Sequence, residues 1–299
     1  MHAYRGKQLG VKPGHHGGHG PAGRQPGNID PRGVDVVAVD HVARQGGNHA
    51  GFTGVADLAE GVVVVRHEVE FVSPLVFRRQ PVLVDVWITE IRAASFTMAY
   101  EVYDETPAAA GSEVTRRVYL RASSVLSPYV FGADHPRRLS ATEKDVLRRF
   151  HEPAEPRTPV PGAGSSRHVH PMKVRFSDLD VYRHVNNVKY FEFFQEARIQ
   201  YVMDLHHRGE TWSDHVIART DVEYLRPVQF RLEPYQVHQW ISHLGNRSFA
   251  IASELRDGDE LLARGRVVMV TFDRETQRST AMPPQQRARL EEEYAAIRA

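Results

Sequence analysis

The chain has 299 residues, room for about two domains of ordinary size. A formal charge of +1, from 38 basic against 37 acidic side chains, supplies no broad field for nucleic acid or an anionic membrane surface. With no cysteine, disulfides, thiolate zinc sites and cysteine nucleophiles are excluded. No apolar run approaches the length of a membrane span and no secretion-signal core opens the chain, so a soluble cytoplasmic protein is expected.

Residues 1–58 read as a low-complexity segment. Residues 10–33 are dense in Gly, His and Pro and show no sustained periodicity. Either this is a divergent replacement for a helix-bearing segment, or the sequence starts in the wrong frame or at the wrong codon; the second reading is preferred. His15, His16 and His19 sit among glycines with no supporting shell, so no metal site is expected there.

From residue 59 to 151 the pattern changes. Short runs alternate apolar and polar residues, predicting antiparallel strands near 62–72, 82–91, 95–104 and 113–125. Ser140 followed by Glu143 forms a capping-box signature, which opens a helix reaching about Phe150. Residues 152–171 are rich in proline and read as an interdomain linker.

The last segment, 172–299, begins with a short alternating run at Val174 and Phe176, read as a strand, and a polar turn. Asn186 or Asn187 then caps a helix near 187–206, because Asx side chains satisfy free amides at helix starts. Tyr190, Phe191, Phe194, Ala197, Tyr201 and Leu205 recur at three- and four-residue spacing and give that helix one apolar stripe. Strands follow near 215–225, 235–243, 247–256 and 260–271, turned at Leu244-Gly245-Asn246 and Asp257-Gly258-Asp259. A last helix is predicted near 284–298.

Residues 62–102 align without gaps on residues 215–255, at an offset of 153. Fifteen of these forty-one pairs are identical, among them Arg66/Arg219, Glu70/Glu223, Pro74/Pro227, Phe77/Phe230 and Trp87/Trp240. So many matches mark a duplication. The counterpart of the long helix by that offset, 34–53, contains Gly46, Gly47 and Gly51, each costing about 1 kcal/mol inside a helix relative to alanine. The first half is therefore expected to be incomplete, lacking its central helix.

The run Phe176-x-Asp178-x-Asp180-x-x-x-His184-Val-Asn186-Asn187-x-x-Tyr190, followed by Glu196-Ala-Arg198, resembles the hotdog-fold acyl-CoA thioesterases of the 4-hydroxybenzoyl-CoA thioesterase-like group and their acyl-ACP thioesterase relatives. The resemblance implies an α+β fold of two tandem hotdogs, each an antiparallel sheet wrapped around a helix. It implies hydrolysis of an acyl-CoA or acyl-ACP thioester with no cofactor and no metal. It also implies a site where two hotdog units meet, an acyl tunnel along the helix, and further assembly of chains into a homo-oligomer.

By position, Asp180 matches the family's catalytic carboxylate, as general base or nucleophile. His184 and Asn186 would orient water, substrate or Asp180. Amides around Asn187 and Val188 would hold the thioester oxygen at a positive helix start. Tyr190, Phe191 and Phe194 are candidate wall residues of the acyl tunnel, with core packing as the competing role. Arg226 and Arg247 are candidate partners for CoA phosphates, against the simpler role of solvated surface arginines. For Asp180, Asn186 and Asn187 the competing role is turn formation or capping; for His184 it is a hydrogen-bonded turn. Asp178 is expected to shape the turn, and Glu196, one helix turn from Glu192 and two residues before Arg198, to join an intrahelical or intersubunit salt link. A non-catalytic acyl-binding or scaffold protein is the alternative function. No G-x-S-x-G elbow occurs, which argues against an α/β-hydrolase.

Overall fold

Alternation of apolar and polar residues in both copies produces strands that join in one eleven-stranded sheet. This is seen in a computed structural model, described over residues 61–79, 81–106, 115–130, 135–154, 166, 168–180, 183–206 and 211–296. The segment 1–58 and most of the Pro-rich linker lie outside the described residues.

The first half contributes β1 (Val62–Phe71), β2 (Leu83–Ile91), β3 (Phe96–Thr106), β4 (Thr115–Val130) and the two-residue β5 (His135–Pro136), then α1 (Ala141–Arg148). The second half contributes β6 (His168–Met172), α2 (Lys189–Leu205), β7 (Asp214–Tyr224), β8 (Tyr235–Leu244), β9 (Ser248–Asp257), β10 (Glu260–Asp273), β11 (Arg278–Ser279) and α3 (Pro284–Ala296). Along the sheet the order is β2-β3-β4-β1-β7-β10-β9-β8-β6. Each half thus repeats one strand order, and the two run outward in opposite directions from β1 and β7.

The register at that junction shows the duplication directly. Arg66 pairs with Glu223, Glu70 with Arg219, and Glu68 with Asp221. At the offset of 153, Glu68 and Asp221 are repeat equivalents facing each other, so the junction has a local two-fold axis through this pair. Arg219 lies 2.8 Å from Glu68 and 3.2 Å from Asp221, and Arg66 lies 3.2 Å from Glu68. Asp221 is 1% exposed, and burial raises its carboxyl pKa despite the neighbouring Arg219 guanidinium.

Two cores form on the inner face of the second half. One gathers Tyr190, Phe194 and Ala197 of α2 with Val222, Val237, Leu255 and Ala263 of the strands. The other joins Tyr201 and Leu205 to Ile241, Phe249, Ile251 and Leu290 of α3. Close approach of α2 depends on Gly265, because a Cβ there would sit 2.8 Å from the Phe194 ring. Its equivalent is Ala122, fixed by the pairing of Gly265 with Ser253 and of Ala122 with Tyr100. The first-half core is smaller, with Ile88, Phe96, Met98 and Leu126 packed against Leu139, Val146 and Leu147 around α1.

The helices α1 and α3 occupy equivalent places, and each starts on a buried polar residue. The Ser140–Glu143 capping box forms as the sequence predicts, with Glu143 also accepting two bonds from Arg137. At the equivalent position Gln286 accepts from the Ser213 amide at 3.1 Å and lies 2.7 Å from His215 Nε2.

Two sequence expectations differ. Residues 168–171, read as linker, form with Met172 the strand β6 on the sheet edge against β8, where Pro171 is tolerated because an edge strand leaves one row of donors unused. Val174 and Phe176, read as a strand, belong instead to a loop and a single 3-10 turn over Phe176–Asp178.

Adding one methyl group at Gly265 forces Phe194 or the backbone to move. We expect Gly265→Ala to destabilise the protein by about 1–3 kcal/mol in urea unfolding, whereas Ala122→Gly costs no more than about 1 kcal/mol. Burial holds the His215 imidazole down at about 4, and its Nε2 accepts from Gln286, so the neutral ring docks α3. The unfolded ring protonates near pH 6.5, so this stabilisation is complete above that pH and is lost as pH falls towards 4. The urea midpoint should drop across this window, by up to about 3 kcal/mol in stability, and His215→Gln should flatten the drop.

Candidate active site

The sequence motif folds into a tight turn that feeds α2. Asp178 is 4% exposed and accepts from the Arg175 amide at 2.7 Å, while its carbonyl accepts from Asn186 N–H at 2.8 Å. It shapes the turn, as the sequence predicts. Asp180 and His184 close the next loop. Asp180 N–H donates to the His184 carbonyl at 2.8 Å, and His184 N–H donates to Asp180 Oδ1 at 3.1 Å. Between them Arg183 takes a left-handed φ of 65°, a conformation that L-residues other than Gly, Asn and Asp seldom adopt. Val185 then donates to the Val228 carbonyl at 2.9 Å, and His184 bridges to Gln229, which ties the turn to the segment after β7.

Asp180, His184, Asn186, Asn187 and Val188 are thereby gathered on one turn at the start of α2, all partly buried. The His184 ring has no hydrogen bond among the described residues, and neither has the Asn186 NH2 group. The helix starts two residues later than predicted, with Val188 at the N-cap. The side-chain oxygens of Asn186 and Asn187 both converge on the Val188 amide, at 3.1 and 3.0 Å. That amide, expected to face the thioester oxygen, is already satisfied.

Tyr190 is 3% exposed and belongs to the core rather than to an open wall. Its phenol oxygen accepts from the Val228 backbone N–H, and burial raises its pKa far above the ordinary value. Phe194 is likewise core, under Gly265. Phe191 is partly buried and turns towards His67, their ring centroids 6.1 Å apart.

The two arginines separate. Arg226 lies three residues from Gln229, on the same side as the turn, exposed and paired with Glu260 at 2.9 Å. Arg247 stands at the opposite end of the sheet: its carbonyl accepts from Thr271, and Thr271 pairs with His215. Tyr224, whose hydroxyl donates to the Asn187 carbonyl at 2.9 Å, lies nine residues further along β7, roughly 30 Å away at strand rise. Arg247 is therefore not a partner of this turn. Glu196 and Arg198 form no salt link among the described residues, and burial lowers the Arg198 pKa.

Sequence reading missed the contribution of the other half. His67 on β1 is 6% exposed, with Nδ1 2.8 Å from Ser124 Oγ and Nε2 3.2 Å from Asn187 Nδ2. Its ring also meets Tyr224 edge-on at 6.0 Å. The detectable signal was a change of character between aligned copies, since His67 corresponds to Thr220.

Residues 174–290 match the family model described as Thioesterase-like superfamily, and residues 33–110 match that described as Thioesterase superfamily, together nearly two-thirds of the chain. The second match begins at residue 33, inside the segment that composition had set apart from the first half. The chain is 30% identical over 122 residues to the uncharacterized protein YsmA of Bacillus subtilis, covering 40% of this chain and 82% of that one. It is 27% identical over 127 residues to the long-chain acyl-CoA thioesterase FadM of Escherichia coli, covering 40% and 95%. Two solved structures extend over both halves. A putative oleoyl thioesterase from Lactobacillus plantarum has a TM-score of 0.54 and 16% identity, covering 80% of this chain and 88% of that one. The 12:0-ACP thioesterase of Umbellularia californica also has a TM-score of 0.54, with 18% identity, covering 79% and 86%. At such identity these two show a shared fold. Two family matches in series, on a sheet whose halves are related by a local two-fold, show that this chain belongs to the thioesterase superfamily as a tandem of two hotdog domains.

Proposed function

We propose that this protein hydrolyses acyl-CoA thioesters in the cytoplasm, with Asp180 as the catalytic carboxylate and the turn from Asp180 to Val188 as the site. The observation that carries the assignment is the turn itself: one carboxylate, one imidazole and two side-chain amides converge where a polar loop becomes a long helix. Thioester hydrolysis requires a base or nucleophile, a water, and donors for the charge that builds on the carbonyl oxygen. Asp180 fills the first role. It either deprotonates a water or attacks the carbonyl carbon itself, releasing the thiolate and leaving an anhydride for water to cleave.

The donors are read differently here than from the motif alone. With Val188 N–H held by two asparagine oxygens, the Asn186 NH2 and the His184 ring are the groups available to a substrate oxygen. Asn186 can turn away without exposing a bare helix amide, because Asn187 still accepts from Val188. Arg226, on the same side as the turn and exposed, is the better placed arginine for a CoA phosphate. CoA is favoured over acyl carrier protein as the carrier because this chain is similar to the long-chain acyl-CoA thioesterase FadM over 95% of that protein's length. The structural relative from Umbellularia californica is named for the other carrier, so both belong in one test. Association of whole chains into a homo-oligomer is part of the same proposal.

Thiol release from short, long and aromatic acyl-CoAs, with acyl carrier protein thioesters alongside, should show CoA esters turned over. Asp180→Asn should lower kcat/KM by at least about a hundredfold while the unfolding midpoint stays near that of the wild type. Unchanged turnover in that variant would move the catalytic role elsewhere, and an inactive wild type across the panel would favour acyl binding without catalysis. Arg226→Ala should raise KM for CoA esters by about three- to tenfold with little change in kcat, as expected for a phosphate contact.

A further inference from the structure

The hydrogen bonds around Asn187 fix a chain of donors and acceptors that begins in the other half. Asn187 Oδ1 accepts from Val188 N–H, so the atom facing His67 is the NH2 group, a donor. His67 Nε2 must then be an acceptor. The tautomer that fits both bonds carries its proton on Nδ1, where Ser124 Oγ accepts it at 2.8 Å. His67 and Ser124 are 6% and 1% exposed, so neither exchanges this partner for water at low cost. Tyr224 holds the backbone carbonyl of the same asparagine.

This arrangement is one-sided in a molecule that is otherwise two-sided. His67 pairs with Ser124 across β1 and β4, and the equivalent pair is Thr220 with Val267 across β7 and β10. Tyr224 corresponds to Phe71, which has no hydroxyl. The imidazole, its serine and the tyrosine occur together on the side of the asparagine at the helix start, and at their repeat-equivalent positions all three are replaced. Packing alone gives no reason for that grouping.

We propose that His67 is a positioning residue for thioester hydrolysis, acting from the first half through Asn187 on the second half's site; this rests on the function proposed above. By keeping the Asn187 amide oriented with its oxygen on Val188, His67 leaves Asn186 free to address substrate. It does not touch the reacting atoms.

Two measurements on the full chain test this. With 15N-labelled histidine at pH 7.5, the His67 ring, identified by the signals that vanish in His67→Gln, should carry its proton on Nδ1. A proton on Nε2 overturns the proposal whatever the activity. In steady-state kinetics, His67→Phe should lower kcat about tenfold with KM within about threefold, the size expected for one lost hydrogen bond felt mainly in the transition state. His67→Gln, whose amide can still meet Asn187, should recover to within about threefold of wild type. The double variant His67→Phe, Asn187→Ala should be no slower than Asn187→Ala alone, because the two act in series. Wild-type kcat in His67→Phe, or additive losses in the double variant, overturn it. An inactive wild type sinks the functional reading, while the tautomer decides the contact between halves on its own.

Discussion

The antiparallel pairing of β1 with β7 is the constraint on which the rest of this molecule depends. It merges two sheets into one and places the two-fold axis through Glu68 and Asp221. It also brings β1 within reach of the start of α2, which belongs to the other copy. Six charged side chains sit on this junction, and the two facing carboxylates, Glu68 and Asp221, each have an arginine within 3.2 Å. Removing one partner there would strand a largely desolvated charge, a loss of several kcal/mol. The ion pairs therefore fix register more than they add stability. A one-residue slip would turn every inward side chain of β1 and β7 outward.

Much of this was legible in the sequence, for physical reasons. Strand alternation and helical stripes are local, and the predicted elements of both halves agree with the observed ones to within a few residues for nearly every strand and helix. The duplication was visible as aligned identities, and its offset reappears as the register of β1 on β7. What escaped was of two kinds. β6 hid in a proline-rich segment, because an edge strand needs little apolar patterning and can include Pro171. His67, Ser124 and Tyr224 left at most a change of residue type between the aligned copies, because their meaning lies in contacts between positions as much as 120 residues apart. Arg247 failed for the same reason: a guanidinium in a turn says nothing about which end of the sheet the turn occupies.

The two halves have kept their frame and diverged in detail. Gly265 admits the Phe194 ring where Ala122 would not. Val228, buried completely under the Asp180 turn, corresponds to Leu75, which is 37% exposed. Phe77 is fully exposed where Phe230 retains an edge-on contact with Phe176. Each difference falls where the second half meets its turn or its α2. The first half thus brings a strand, a histidine and a serine against the turn and helix of the second, where the site is proposed.

The covalent link between the halves has a thermodynamic corollary for that composite site. A site shared between separate subunits falls apart when the protein is scarce, because association depends on concentration. Here both contributors are tethered, and the local concentration of one for the other is set by the connecting chain, on the millimolar scale for short flexible tethers. Dilution cannot take His67 away from Asn187, so the contact proposed to position the site holds at any protein concentration.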